Sequence, residues 1–255
     1  MIPKTIHYIW FGGKPIPPLA LACINSWKKY LAEYTFVLWN ESNFDIHAIP
    51  YTSEAAQAEK WAFVSDYARF YILYHHGGIY LDTDVELLKS LNPLLENKMF
   101  GGFEYANFKQ EQIVAPGLIL GSEAGTPLFE EVLHYYEHIH FKNANGSLNT
   151  LPIPVHFSNI LQKHGLLFDG SLQNISNFRA YPSEYFCPMH SDRQIHITPN
   201  TYSIHHYSGS WLTPWQKYKT KIALFLLKNK IGYSFYVVLL KFREYIEKKI
   251  KFKSF

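Results

Sequence analysis

The sequence predicts an α/β fold in which a mostly parallel sheet is flanked by helices, and three features of the chain predict it. Apolar segments of strand length alternate with segments of helical period from residue 6 to about residue 141. Glycine and proline clusters, such as Gly12-Gly13, "KPIPP" and Gly77-Gly78, punctuate the junctions. At 255 residues and 29.8 kDa the chain can bury one large core, and no internal repeat divides it.

The elements follow in order. "IHYIWF", residues 6–11, reads as a first strand, and "YTFVLW", residues 34–39, as a second, with a helix over residues 19–30 between them. That is the opening of a βαβ unit. Over residues 53–76, Ala58, Trp61, Ala62, Ser65, Ala68, Arg69, Ile72 and Leu73 recur at helical spacing, and Gly77-Gly78 stops the helix. A strand at 79–81 follows at once. Further strands are expected at 99–105 and 113–120, and a helix over 126–141 carries Pro127 in its first turn. Residues 142–194 are rich in Pro and Asn, with one short helix near 158–164. Residues 195–204 read as a last strand leading into "HHYSGSW".

Composition narrows the classes. Apolar residues make up 47% and charged residues 18%, a globular balance. Aromatic residues reach 17%, more than core filling demands, so most fill the core and some line a site for sugars or bases. Cys23 and Cys187 are far apart and lack metal-ligand spacing, which argues against a disulfide framework or a zinc site and fits a reducing cytoplasm. The N-terminal "MIPKTIHYIWFGG" has no long apolar stretch and no small-residue cleavage site, so no signal peptide is expected. The longest apolar run, residues 231–240, is interrupted by Gly232 and Ser234 and falls short of the about 20 residues a membrane span needs.

The net charge of +3 conceals two unlike parts. Residues 215–255 hold ten Lys and one Arg against Glu244 and Glu247, a balance of +9, and the rest of the chain is −6. Two domains are therefore expected: a catalytic unit over 1–214, and basic amphipathic C-terminal helices over 215–255.

Chemistry concentrates at "GGIYLDTDV". On a strand, residues i and i+2 point the same way, so Asp82 and Asp84 set two like charges on one face unless a cation lies between them. Hard divalent ions such as Mg2+ or Mn2+ take one or two carboxylates and complete their shell with phosphate oxygens and water. Asp-x-Asp alone is a common tripeptide, and its neighbours add the weight. Asp66 and Arg69, three apart on an otherwise apolar helix, share a face. They form either a buried structural ion pair or a donor fork for phosphate and sugar oxygens with an acceptor for sugar hydroxyls. His205-His206 and "SGSW" follow the last predicted strand. There an imidazole suits a third metal position, and Ser208, Ser210 and Trp211 offer groups to a phosphate or a sugar. In an α/β sheet, ligands sit beyond the carboxyl ends of the strands, where Trp10 and the Asp pair both fall.

Four blocks, "IPKTIHYIWFGGKPIP", "SDYARFYILYHHGGIYLDTDV", "YPSEYF" and "ITPNTYSIHHYSGSW", together resemble glycosyltransferase family 32, the DXD sugar transferases that include capsular polysaccharide and O-antigen enzymes. The resemblance spans residues 2–211. It implies the A-type glycosyltransferase fold, a Rossmann-like mixed sheet sandwiched by helices, here with a C-terminal basic helical extension. It also implies a nucleotide-sugar donor with Mn2+ or Mg2+, and retention of anomeric configuration. Carried onto this chain, it makes Trp10 the platform for the donor base and gives Asp66 and Arg69 to the transferred sugar. Tyr80 lies near the nucleotide. Asp82 contacts the ribose and the metal through water, Asp84 ligates the metal directly and His206 completes the set. Ser210 and Trp211 lie by the diphosphate. The segment "TLPIPVHFSNIL" departs from the Gly-Pro block expected there, on the acceptor side.

The expected function is thus a retaining, metal-dependent hexosyltransferase using a UDP-hexose, UDP-galactose or UDP-N-acetylglucosamine ahead of GDP-mannose, on a growing bacterial surface polysaccharide that is lipid-linked. The tail interleaves Lys with apolar residues as a helix on an anionic membrane would, which places the protein in the cytoplasm, peripheral on the inner face. Its aromatic residues follow that amphipathic pattern rather than a stacking platform, which argues against nucleic acid. A phosphatase built on a strand-end Asp-x-Asp expects Thr or Val two residues after the second Asp, where this chain has Glu86. A catalytically silent nucleotide- or carbohydrate-binding protein on the same fold is the alternative, and it would tolerate loss of carboxylates that this chain keeps.

Overall fold

The computed structural model describes residues 1–105, 111–189 and 194–209. Contacts divide the chain into Met1–Ser208 and Gly209–Phe255; the expected basic helices of residues 215–255 lie outside the described residues. Strand β1 (Thr5–Ile9) is followed by helix α1 (Pro18–Tyr30) and β2 (Thr35–Trp39), the predicted βαβ opening, with β1 and β2 parallel from Thr5↔Thr35 to Ile9↔Trp39. Helices α2 (Pro50–Gln57) and α3 (Trp61–His76) then lead to β3 (Gly78–Tyr80) and β4 (Val85–Leu87). After a 3-10 turn at Asn92–Leu94 come β5 (Met99–Tyr105), β6 (Gln112–Val114), β7 (Leu120–Ser122), α4 (Pro127–Glu137) and α5 (Ile153–Lys163). The described part closes with β8 (Gln173–Ile175), β9 (Phe178–Tyr181), α6 (Ser183–Phe186) and β10 (Ser203–His205).

The main sheet runs β2-β1-β3-β7-β5-β9-β8, with β6 paired to β5 off this path; β10 and β4 form a separate antiparallel pair. It is mixed rather than mostly parallel. β1–β2, β1–β3 and β5–β9 are parallel, whereas β3–β7, β5–β7, β5–β6 and β8–β9 are antiparallel. Side-chain alternation splits the core accordingly. Ile9, Tyr80, Met99, Phe103 and Leu120 face a cluster built with α2, α3, α4 and α5. Ile6, Ile79, Leu81, Phe100 and Ile119 face another with α1 and α6. The structure is an α/β sandwich around a mixed sheet.

Three elements differ from expectation. The single helix over 53–76 is two helices, because Glu59 takes φ 53 and its amide turns back to Ala56, a break with no Gly or Pro to announce it. The strand expected at 113–120 is split into β6 and β7 by the turn through Pro116, where the Leu118 amide closes on Ala115. Of residues 195–204 only the end is strand, since Pro199 sits in a turn closed by the Thr201 amide on Thr198. The hairpin β8–β9, turning on left-handed Ser176 and Asn177, carried no sequence expectation.

Gly77 and Gly78 join α3 to β3 with φ values of 64 and 102, and the Gly77 amide caps the helix on Leu73. His7, 2% exposed on β1, seals this junction: its Nε2 lies 2.9 Å from the Gly77 carbonyl, and Trp39 Nε1 donates to its Nδ1 at 3.0 Å. The indole N–H can only donate, so Nδ1 accepts, and Nε2 carries the proton that goes to Gly77. A second proton would set an N–H against the indole. Burial accordingly lowers the His7 pKa from 6.5 to about 4. Below pH 6.5 the unfolded chain binds a proton that folded His7 refuses until about pH 4, so stability is full above 6.5, falls by about 3 kcal/mol on the way down, and levels off below 4. Urea unfolding at pH 7 and pH 4 is expected to show this loss reduced by about that amount in His7→Gln.

Candidate active site

The carboxyl-terminal edge of β1 and β3 carries the candidate residues. β3 ends at Tyr80, and Asp82 to Val85 form a turn closed by the Val85 amide on the Asp82 carbonyl at 3.1 Å. Asp82 and Asp84 are therefore turn residues and do not share a strand face. They still converge, together with His205: one ligand atom from each lies within 4.8 Å of the others.

Arg69 organises the first half of the site. Helix α3 places it one turn after Asp66, and both are buried, at 4% and 6% exposure. Its Nη2 donates to Asp66 Oδ1 at 2.9 Å and stands 3.7 Å from Asp82 Oδ1, while Nε donates to the Ser65 carbonyl at 3.1 Å. The guanidinium lies 4.8 Å from the centre of the Tyr80 ring, and the Tyr80 hydroxyl donates to Asp82 Oδ1 at 2.7 Å. The pair is thus a buried ion pair whose cation also faces the metal-type carboxylate. Burial pushes the Asp66 carboxyl up to about 7 against the pull of Arg69, and Asp82 adds to the rise. Burial works against the charge of Arg69, and Tyr80, Asp82 and Asp66 outweigh it, so its pKa rises.

The second half comes from the far end of the described chain. β10 pairs antiparallel with β4, His205 opposite Val85. His205 Nε2 meets Asp84 Oδ1 at 3.0 Å, the Ser208 amide donates to Asp84 Oδ2 at 2.8 Å, and the His206 amide donates to the Asp84 carbonyl at 3.0 Å. Burial opposes ionisation of Asp84, but the bonds from His205 and Ser208 prevail and hold it well below the usual carboxylate range. Burial lowers and Asp84 raises the His205 pKa, and the rise wins.

His205, rather than the expected His206, therefore stands at the carboxylate pair. Successive strand residues face opposite sides. His206 lies on the Glu86 side of the ladder, its Nε2 2.9 Å from Glu86 Oε2. Trp10, half-buried just past β1, donates its amide to the Trp39 carbonyl at 2.9 Å and its indole N–H to the Lys14 carbonyl, at the same sheet edge. Tyr80 is buried beneath Arg69. Ser210 and Trp211 lie outside the described residues.

Two further residues belong to the site and carry no sequence motif of their own. Glu104, near the end of β5, accepts from the Tyr207 hydroxyl at 2.7 Å, and Tyr207 packs its ring 4.2 Å from that of His205. Burial raises the Glu104 pKa, Tyr207 and His205 oppose the rise, and Asp82 adds to it. Their only advance signal was position: a carboxylate at a strand end, and a tyrosine inside "HHYSGSW".

Two observations fit a divalent cation at this point. Among the described residues His205 Nδ1 is buried without a hydrogen-bond partner, while Nε2 faces Asp84. At Gly117, whose carbonyl accepts from the Asp82 amide at 3.2 Å, a Cβ would collide with Asp82 Oδ2, so the space beside that oxygen is kept clear of side chain. Two carboxylates and an imidazole are donors suited to Mn2+ or Mg2+.

Residues 17–100 match the family model described as the glycosyltransferase sugar-binding region containing a DXD motif. On that stretch the chain is similar to the DXD glycosyltransferases. Inositol phosphoceramide mannosyltransferase 3 of Schizosaccharomyces pombe is 36% identical over 98 residues, 37% of this chain and 27% of that protein. Inositol phosphoceramide mannosyltransferase 1 of the same yeast is 29% identical over 115 residues, 39% of this chain and 33% of that one. An uncharacterized glycosyltransferase of Acanthamoeba polyphaga mimivirus is 28% identical over 144 residues, 52% of this chain and 54% of that one. The chain thus spans between about a quarter and a half of the length of these curated relatives. Among solved structures, the PaToxG glycosyltransferase superposes with a TM-score of 0.49 at 20% identity, over 64% of this chain and 69% of that one.

Gly117→Ala tests the cradle. It is expected to weaken Mn2+ binding about tenfold by calorimetry through displacement of Asp82, with the unfolding midpoint moved by only a few degrees.

Proposed function

We propose that this protein transfers a hexose from a nucleotide sugar to a glycan acceptor with the help of a divalent cation, and with retention of anomeric configuration. The observation that carries the reading is the convergence of Asp82, Asp84 and His205 next to the buried Arg69, at the carboxyl edge of the sheet. Asp82, Asp84 and His205 would hold Mn2+ or Mg2+. When bound, such an ion neutralises the charge that builds on a departing diphosphate, an effect worth several kcal/mol.

The chain's own residues do the rest. Arg69, held by Asp66 and the Ser65 carbonyl, presents its remaining N–H groups as a fixed fork to phosphate or sugar oxygens. Trp10 supplies a flat apolar face at the strand edge for the donor base, and Ser210 and Trp211 contribute to the diphosphate. Carboxylates beside the sugar stabilise an oxocarbenium-like transition state. The acceptor hydroxyl attacks from the face the diphosphate leaves and gives its proton to the leaving phosphate.

The donor is a UDP-hexose on the sequence reading, UDP-galactose or UDP-N-acetylglucosamine; the mannosyltransferase names of two relatives bring GDP-mannose level with them. Those names also point to a lipid-borne acceptor, in line with a lipid-linked bacterial surface glycan. Donor hydrolysis over a panel of these nucleotide sugars with Mn2+ is expected to release one nucleoside diphosphate, with the rate at least about a hundredfold lower in Asp84→Ala. No turnover of any donor would leave the alternative, a silent nucleotide- or carbohydrate-binding protein on this fold.

The +9 balance of residues 215–255 supports a second element of the proposal, a tether to an anionic membrane surface on the cytoplasmic side. Among the described residues no helix is long and apolar enough to cross a membrane. Co-sedimentation with phosphatidylserine vesicles is expected for the full chain and absent after removal of residues 220–255, with donor hydrolysis retained.

A further inference from the structure

Residues 205–208 wrap one carboxylate. His205 Nε2 and the Ser208 amide reach the two oxygens of Asp84, and the His206 amide reaches its carbonyl. The wrap depends on a chain reversal at Tyr207, which takes φ 49. That left-handed conformation is costly for a bulky L-residue and persists only where surrounding contacts over-determine it. Within the wrap, the amides of His206 and Ser208 on either side of Tyr207 bond Asp84 and constrain its backbone.

Three further contacts hold the Tyr207 side chain. Its hydroxyl donates to Glu104 Oε2 on β5 at 2.7 Å and stands 3.0 Å from Cys187 Sγ, just past α6. The phenol has one hydrogen and Glu104 takes it, so the thiol donates in the second contact. The ring lies 4.2 Å from the His205 ring at an angle of 56°. One side chain thus ties β5, the end of α6 and the His205 imidazole together.

We infer that Glu104 and Tyr207 are positioning residues: their hydrogen bond fixes the 205–208 turn around Asp84, so that Asp82, Asp84 and His205 converge as cation ligands before a cation arrives. The inference rests on the cation site of the proposed function. It differs from a purely structural role because it couples a tyrosine hydroxyl, which touches none of the three ligand atoms, to cation affinity. It also differs from a role for the Glu104 charge, because a neutral acceptor would serve equally well.

The test is Mn2+ calorimetry on the full chain for wild type, Tyr207→Phe, Glu104→Ala, Glu104→Gln and Asp84→Ala, with thermal midpoints taken in cation-free buffer. Wild type is expected to bind and Asp84→Ala not to. Tyr207→Phe and Glu104→Ala should each weaken binding about tenfold, the usual loss when a partner of a ligand is removed. Glu104→Gln, whose amide oxygen still accepts, should stay within about twofold of wild type. Midpoints of Tyr207→Phe and Glu104→Gln should lie within a few degrees of wild type. Unchanged affinity in Tyr207→Phe, with or without a lower midpoint, would overturn the inference and leave the cation site intact. A Glu104→Gln loss as large as that of Glu104→Ala would overturn it in favour of the charge. Absence of binding by wild type would remove the cation site itself, and this inference with it.

Discussion

A guanidinium almost without water is the constraint on which the site depends. Arg69 is 4% exposed, and a buried cation survives in a fold only where opposite charge and acceptors surround it. Asp66, the Ser65 carbonyl, the face of Tyr80 and Asp82 supply that surrounding, and three separate constraints fix them. Helical spacing brings Asp66 and Ser65, strand β3 brings Tyr80, and the turn after β3 brings Asp82. The cost of burying the charge is offset by the same atoms that aim it. Arg69 has little freedom to look elsewhere, which is the property expected of a group that must meet a developing negative charge without reorganising.

The Asp84 side follows another principle. There the carboxylate is caged by a donor imidazole and a backbone amide, so it stays ionised although largely enclosed. Burial raises the pKa of Asp66 against the pull of its partner Arg69, whereas hydrogen bonds hold Asp84 ionised. Separating carboxylates by environment rather than by residue type is how a protein assigns them different tasks.

What could be read from the sequence was what is local. The β1–α1–β2 opening, the span of β5 and the Gly77-Gly78 stop were legible because period and punctuation act over a few residues. The break at Glu59 was not, since a left-handed non-glycine residue leaves no mark in composition. The short β8 and β9 were hidden because three- and four-residue strands carry too little alternation to stand out. In the site, Asp66, Arg69, Asp82 and Asp84 were visible as a cluster of charge in apolar surroundings. The choice between His205 and His206 was not visible, because adjacent histidines differ only in which side of the ladder they face, and the partner strand sets that. Glu104 and Tyr207 were missed for the same reason: a hydrogen bond across 103 residues has no local signature.

The pairing of β10 with β4 has a kinetic side. It joins residues some 120 apart in sequence, so closing it costs about 2–3 kcal/mol more chain entropy than closing a short hairpin, a cost that falls once the intervening sheet brings its two ends together. On a ribosome, a chain whose first hundred residues already carry Arg69, Asp82 and Asp84 still lacks His205 and the amide of Ser208. Such a nascent chain holds its acidic residues uncaged, and the site acquires its final electrostatic form only when the last described strand docks.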